Sequence, residues 1–252
     1  MSLKKKINEE QLCKDLKYLK MQSVMDNYDP LAKDAVSRQW SYPEYLSKLI
    51  EGEVDLRKDR SVQRRIRMAR FPVIKTLDEF DWSWPKRINR LQVQDLFRLK
   101  FLEENVNIIF IGNVGLGKSH LGIALGYHAC LHGKSVLFAS AIDIVNTLMA
   151  AQNAGRLKTE LKKYLRPSLL IVDELGYLPI NKKGADLLFQ VISHRYEQGS
   201  IILTTNKKFK NWAEIFDNDS TLTSAVLDRL LHHANSVIIE GKSYRMKDRI
   251  EV

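Results

Sequence analysis

The chain of 252 residues holds only two cysteines, Cys13 and Cys130, far apart and matching no C-x-x-C spacing. They offer no metal or redox motif, and both read as small buried apolar groups in a reducing compartment rather than as a disulfide. Also missing is any run of about 18 apolar residues, so no membrane span is expected. Met1 through Lys6 lead into the charged stretch Asn8-Glu9-Glu10. An apolar segment would be needed there for a secretory signal, so a cytoplasmic location is expected. Internal repeats and low-complexity segments are lacking as well. Acidic residues are in deficit, 30 Asp+Glu against 40 Lys+Arg, for a net charge of +10. That balance points to an anionic macromolecular partner, most simply nucleic acid. The length suits one nucleotide-binding core with a smaller appendage and is too short for a large multidomain motor.

What is present is most specific at Gly112-Asn113-Val114-Gly115-Leu116-Gly117-Lys118-Ser119, which fits G-x-x-x-x-G-K-[ST]. It lies between an expected strand, Val106 to Ile111, and an expected helix beginning near His120. Glycines let the backbone curl until several N–H groups point inward, at the positive end of a helix dipole, where phosphate is favoured. Residues 112–120 are therefore expected to bind a nucleoside triphosphate, with Lys118 on the β and γ phosphates and Ser119 on Mg²⁺. A glycine-rich turn matching by accident is the competing explanation, and the strand and helix on either side argue against it.

Residues from about 7 to 70 read as helices, and residues 1–70 as a small all-helical domain. Leu12, Leu16 and Leu19 with Met21 and Met25 form one amphipathic stretch, and Tyr42-Pro43-Glu44 opens another. From Arg57 to Arg70 seven basic residues face one acid, Asp59. At about 100° per residue, Arg57, Arg60, Arg64 and Arg67 share a helix face opposite Val62, Ile66 and Ala69. The stripe is a candidate DNA contact, and the plain alternative is a solvated helix face. Phe71-Pro72 ends the helix, and residues 71–88 read as a linker. Its aromatics, Phe71, Phe80, Trp82 and Trp84, are expected to pack on the core, the alternative being to flank a nucleotide base.

From residue 89 to 252, β-rich runs alternate with helical patterns: Val106 to Ile111, Ser135 to Ala139, Leu169 to Val172, Ile201 to Thr205 and Val237 to Glu240. Five short strands separated by helices predict an α/β core with a five-stranded parallel sheet covered on both faces. Leu169-Leu170-Ile171-Val172-Asp173-Glu174 is an apolar strand whose tip carries two acids into the crevice where open α/β sheets bind ligands. Asp173 is expected to hold Mg²⁺, and Glu174 to orient and deprotonate the attacking water. Acids also simply close strands, and it is the phosphate loop that favours catalysis here. Asn206 tips a further apolar strand, where it either begins a turn or hydrogen-bonds the γ-phosphate or the lytic water.

This order of elements resembles the AAA+ ATPases, whose Asn-tipped fourth strand carries a sensor and whose later helix carries an arginine finger for the neighbouring subunit. Arg229, in Ser224-Ala225-Val226-Leu227-Asp228-Arg229-Leu230-Leu231, matches the finger by order and context. Its alternative is an ion pair with Asp228 or Glu214. The chain further resembles the DnaC-like branch, and within it the IstB-like transposition helper ATPases. The resemblance is carried by Met68 through Trp82, with its Arg-Phe-Pro run, by Gly117-Lys118-Ser119-His120-Leu121 and by Gly241-Lys242-Ser243-Tyr244-Arg245. It covers essentially the whole chain. It implies an ATP-dependent homo-oligomer that binds double-stranded DNA with little sequence preference and recruits or stimulates a transposase at the target. It also directs attention to residues 141–165, where relatives insert a DNA-engaging helix and where this chain has Arg156, Lys158, Lys162 and Lys163, with a solvated lysine-rich helix as the alternative. Only 12 residues follow Glu240, so the helical lid with its sensor 2 arginine, usual in such ATPases, is expected to be largely absent; Arg245 is expected to serve structurally or to face DNA, the alternative being to reach a nucleotide from a neighbouring module. A DnaC-type helicase loader is the nearest rival reading. A small-molecule P-loop kinase and a non-catalytic ATP-dependent DNA-binding protein are more distant ones.

Overall fold

A computed structural model describes residues 8–249, so the reading of Met1 through Lys6 lies outside the described residues. The chain divides into two compact units, Met1–Arg64 and Arg65–Val252.

Residues 8–64 are helical. Asn8 caps α1 (Glu9–Tyr18) by accepting from the Gln11 amide at 3.2 Å. α2 (Gln22–Ser37) follows, and α3 (Tyr42–Ala69) opens on a capping box. There the Ser41 amide donates to Glu44 at 2.6 Å and the Glu44 amide donates to the Ser41 hydroxyl at 3.4 Å. Leu16, Val24 and Leu49 are the buried centre of this unit, with Met21, Met25 and Tyr45 around them. Glu53, only 3% exposed, accepts from the Ser23 amide at 2.9 Å and pairs with Arg57 at 2.8 Å. Arg57 in turn donates to the carbonyls of Leu19 and Lys20 at 3.3 and 3.4 Å, satisfying groups that the end of α1 leaves open.

The boundary between the units falls inside α3, whose last turns contribute Ile66 and Ala69 to the second core. Residues 71–88 belong to that core too: Phe71, Leu77, Phe80, Trp82 and Ile88 all pack in it. Two short helices, α4 (Arg90–Leu96) and α5 (Lys100–Glu103), lead into the sheet. Then alternate β1 (Asn107–Gly112), α6 (Lys118–Leu131), β2 (Val136–Ser140), α7 (Ala141–Asn153), α8 (Leu157–Leu165), β3 (Leu169–Leu175), α9 (Lys182–Arg195), β4 (Ser200–Thr205), α10 (Ser220–Leu231) and β5 (Ala234–Ile239). All strands are parallel, in the order β2-β3-β4-β1-β5.

Alternation along each strand builds both faces of the sheet. Ile109, Ile111, Leu170, Val172, Ile201 and Leu203 share one apolar cluster with residues of α7, α9 and α10. Ile108, Phe110, Leu169, Ile171 and Ile202 join a second cluster with Leu121 and Leu125 of α6. Strands buried on both sides must be apolar throughout, which is why they stand out in the sequence. β5 is the exception. It begins at Ala234, three residues before the expected Val237, because its first half, Ala-Asn-Ser, carries no apolar signal and is held by pairing with β1 from Asn107 onward. Glu240, expected in that strand, instead bridges antiparallel to Arg87. The helix that follows β1, α6, starts at Lys118, two residues ahead of the expected His120. Among the described residues no helix is long and apolar enough to cross a membrane.

A candidate nucleotide-binding site

β1 lies inside the sheet between β4 and β5, and the loop Gly112–Gly117 turns from its C-terminal end straight into α6. Gly115 and Gly117 take φ values of 75° and 83°, where side chains are disfavoured. Space adds to the requirement, since a Cβ on Gly117 would sit 2.6 Å from the Phe80 ring and one on Gly115 would meet the Ser243 side chain. Lys118 is buried and donates to the Asn113 carbonyl at 2.7 Å, so its ammonium curls back over the loop. Burial lowers its pKa, Arg245 adds to the shift, and Asp173 and Glu174 oppose it.

The acidic strand tip is shaped by Thr204. Its hydroxyl donates to Asp173 Oδ1 at 2.5 Å and accepts the Glu174 amide at 2.9 Å. The β3–β4 register shifts between Val172 and Leu175, and Glu174 has φ 61°. A non-glycine residue in this region costs about 1–3 kcal/mol and is held only by its surroundings. The twist separates the two acids: Asp173 is buried, whereas Glu174 turns outward to line a cavity of about 360 Å³.

That cavity is lined along one side by Val114 to His120, and at the strand tips by Glu174, Thr204, Thr205 and Asn206. Asn206 Oδ1 is buried there without a hydrogen-bond partner among the described residues, which such groups seldom tolerate unless something else satisfies them. A third wall comes from residues 75–85, fixed in place where His120 Nε2 meets the Thr76 carbonyl at 2.8 Å and the Phe80 and His120 rings pack edge to face. Tyr244 and Arg245 complete the lining. A backbone cradle and a buried ammonium fit a phosphate chain, whereas the Asn206 oxygen accepts and so fits a water beside it. The Ser119 hydroxyl and Asp173 carboxylate are hard oxygen donors of the kind Mg²⁺ takes.

Of the residues singled out in the sequence, Val114 through His120, Glu174 and Asn206 therefore line one cavity. Gly112 and Asn113 form the entry of the loop, and Asp173 sits behind Glu174. Arg229 does not line it. Half-buried on α10, it donates to the Ala225 carbonyl at 3.1 Å and lies 4.9 Å over the Phe189 ring, and among the described residues neither Asp228 nor Glu214 pairs with it. Arg60 and Arg64 of the helical unit are exposed, as is Arg67 of the second, but Arg57 is committed to Glu53 and the end of α1. Arg156, Lys158 and Lys162 are exposed on and before α8, with Lys163 paired to Glu160 at 2.5 Å. Arg245, expected to serve structurally or to face DNA, lines the cavity, because the segment after β5 turns back across the phosphate loop. Sequence reasoning also missed Thr204, whose signal was its place on the strand beside β3, next to the acidic tip.

Known proteins share this chain's pattern along nearly its whole length. The ATP-binding protein of insertion sequence IS232 from Bacillus thuringiensis subsp. berliner is 41% identical over 239 residues, covering 95% of each chain. That of insertion sequence IS21 from Pseudomonas aeruginosa is 40% identical, over 93% of this chain and 88% of its own. Among solved structures, the DnaC helicase loader superposes with a TM-score of 0.54 at 20% identity, over 66% of this chain and 96% of the loader, a likeness of fold. Residues 14–252 match the IstB-like ATP binding protein family, and the chain belongs to that family.

Proposed function

We propose that this protein is a Mg²⁺-dependent ATPase of an insertion element, which assembles on duplex DNA when ATP is bound and serves as the helper that brings a transposase to its target. The reading rests above all on the convergence of the phosphate loop, Glu174 and the unsatisfied Asn206 oxygen on one cavity. Family membership supports ATP as the ligand, and the relatives' names tie such proteins to insertion sequences.

In this account Lys118 and the amides of residues 115–119 hold the phosphates, and Asn206 donates from its amide NH2 to the terminal one while its oxygen accepts from the attacking water. Mg²⁺, when bound, supplies positive charge to the phosphate oxygens, held by Ser119 and Asp173. Glu174, turned outward by its backbone, orients the attacking water and takes its proton. Arg229 reaches the site of a neighbouring copy rather than its own, so hydrolysis depends on assembly. Arg60, Arg64, Arg67, Arg156, Lys158 and Lys162 contact phosphates of the DNA backbone, which requires charge and little base readout.

Two variants test the core of this reading. Lys118→Ala is expected to lose ATP binding. Glu174→Gln is expected to keep it while turnover falls by about 10²-fold or more. Normal hydrolysis by Glu174→Gln would remove that residue as the base, and unchanged nucleotide affinity of Lys118→Ala would remove the loop as the site.

A further inference from the structure

His232 and His233 stand side by side in a chain with only six histidines, at the point where α10 ends and β5 begins. Glu197 lies in the turn between α9 and β4. Because β4 and β5 flank β1, both turns meet at the amino-terminal edge of the sheet, whereas the phosphate loop leaves β1 at the opposite edge. The chain entering β1 holds each turn in place. The Asn105 side-chain amide donates to the Glu197 carbonyl at 3.1 Å, and the Asn107 backbone amide donates to the His233 carbonyl at 2.8 Å.

These anchored turns gather three exposed ligating side chains. One donor atom from each of Glu197, His232 and His233 lies within 4.8 Å of the others. His233 Nε2 is 3.7 Å from Glu197 Oε1, and the two imidazole centroids are 4.1 Å apart. Behind them the Tyr196 hydroxyl meets His232 Nδ1 at 2.8 Å, which leaves Nε2 as the nitrogen free to ligate. Metal-bound imidazoles are oriented in this way, through a hydrogen bond to their second nitrogen. Burial, followed by the Glu197 carboxylate, raises the Tyr196 pKa, so the hydroxyl keeps its proton.

Two imidazoles and a carboxylate are the donors of zinc sites that keep one position open. Imidazole nitrogen also selects such a metal over Mg²⁺, which takes oxygen. Around a tetrahedral Zn²⁺ the donors stand about 3.3–3.5 Å apart, so closing this cluster needs a movement of about 1–1.5 Å from exposed side chains.

We propose that Glu197, His232 and His233 form a Zn²⁺ site that joins the turn after α9 to the end of α10, with Tyr196 positioning His232. His232 follows Arg229 by one turn, so bound metal braces the part of α10 that carries that arginine. The site is separate from the nucleotide cavity and does not depend on how that cavity is read.

The test titrates Zn²⁺ into the full chain, free of affinity tag and nucleotide, by calorimetry. Saturable binding of a single Zn²⁺ per chain is expected, undisturbed by excess Mg²⁺. His232→Ala, His233→Ala and Glu197→Gln are each expected to weaken it by roughly 10²-fold or more, and Tyr196→Phe by about tenfold. His128 and His132, another pair with centroids 4.2 Å apart, supply the control: His132→Ala is expected to bind as wild type does. Zn²⁺ is also expected to slow amide exchange in the last turn of α10 in wild type and not in His232→Ala. Absence of saturable binding, displacement by Mg²⁺, or wild-type affinity in both His232→Ala and Glu197→Gln would overturn the site and leave His233 and Glu197 as an ion pair. Loss of binding in His132→Ala would move the metal elsewhere, and unchanged exchange on saturation would overturn the bracing of α10.

Discussion

Thr204 and Asp173 are joined across neighbouring strands by a 2.5 Å hydrogen bond, and the same hydroxyl receives the Glu174 amide. One side chain thus fixes both the buried acid and the turn that exposes the other. Thr204→Val preserves shape and removes the hydroxyl. Supporting groups of this kind are typically worth about 10–100-fold, so hydrolysis is expected to drop by that factor, with ATP affinity changed far less. Steady-state hydrolysis beside equilibrium nucleotide binding separates the two effects. Loss of affinity alone, with turnover intact, would assign Thr204 to binding.

Arg229 sits outside the cavity of its own chain, which makes its role a question of assembly. Arg229→Ala and Lys118→Ala are each expected to be nearly inactive alone, the first still binding ATP. In the proposed assembly, a mixture contains some interfaces with an intact loop on one side and an intact arginine on the other. Partial recovery of hydrolysis is therefore expected, as an arginine supplied in trans gives large accelerations. Absence of recovery, with oligomers of normal size, would leave Arg229 as a packing residue over Phe189.

Glu53 gives the helical unit a pH dependence of definite sign. Burial disfavours its carboxylate, but the Arg57 guanidinium and the amides of Ser23 and Val24 outweigh it, and the pKa ends below the ordinary value. A group depressed on folding stabilises above its unfolded pKa, and that contribution is lost as pH falls through the folded one. Amide exchange in α1 and α2 is therefore expected to accelerate below the ordinary carboxylate range. Glu53→Gln should bring the acceleration to neutral pH and flatten its acid dependence; an unchanged acid profile would contradict the assignment.

Arg195 is a buried cation held by carbonyls. It donates to Tyr164 and Pro167 at 2.9 Å and to Ser200 at 2.8 Å, which ties the end of α8 to the starts of β3 and β4. Burial alone brings its pKa down to about 10, so it stays charged near neutrality. Arg195→Met leaves these carbonyls without a donor, and a loss of roughly 3–5 kcal/mol is expected in denaturant unfolding. A change below about 1 kcal/mol would mean that the carbonyls find water instead.

The sheet was legible because strands buried on both faces are apolar runs, and the phosphate loop because its glycines and lysine sit at fixed spacing. The first half of β5 was hidden, since Ala234, Asn235 and Ser236 are held by pairing with β1 and not by burial of their own. Residues 71–88 read as a linker because Pro72 and Pro85 interrupt any helical pattern, yet Phe80 both packs in the core, as its aromatic character implied, and walls the cavity. Arg57 looked like its neighbours on a basic stripe, since nothing local announces that Glu53 and two carbonyls of α1 will claim it. The place of Arg245 was hidden for a related reason: it depends on Tyr244 meeting Gly115, a contact between residues more than a hundred positions apart.

The central claim is that nucleotide state switches assembly on DNA, and its most direct measurement is the affinity for a duplex of arbitrary sequence with a non-hydrolysable ATP analogue, with ADP and without nucleotide. The account predicts tight, salt-sensitive and sequence-independent binding with the analogue, much weaker binding in the other two states, and no switch in Lys118→Ala. Equal affinity in all three states, or an undiminished switch in Lys118→Ala, would contradict it.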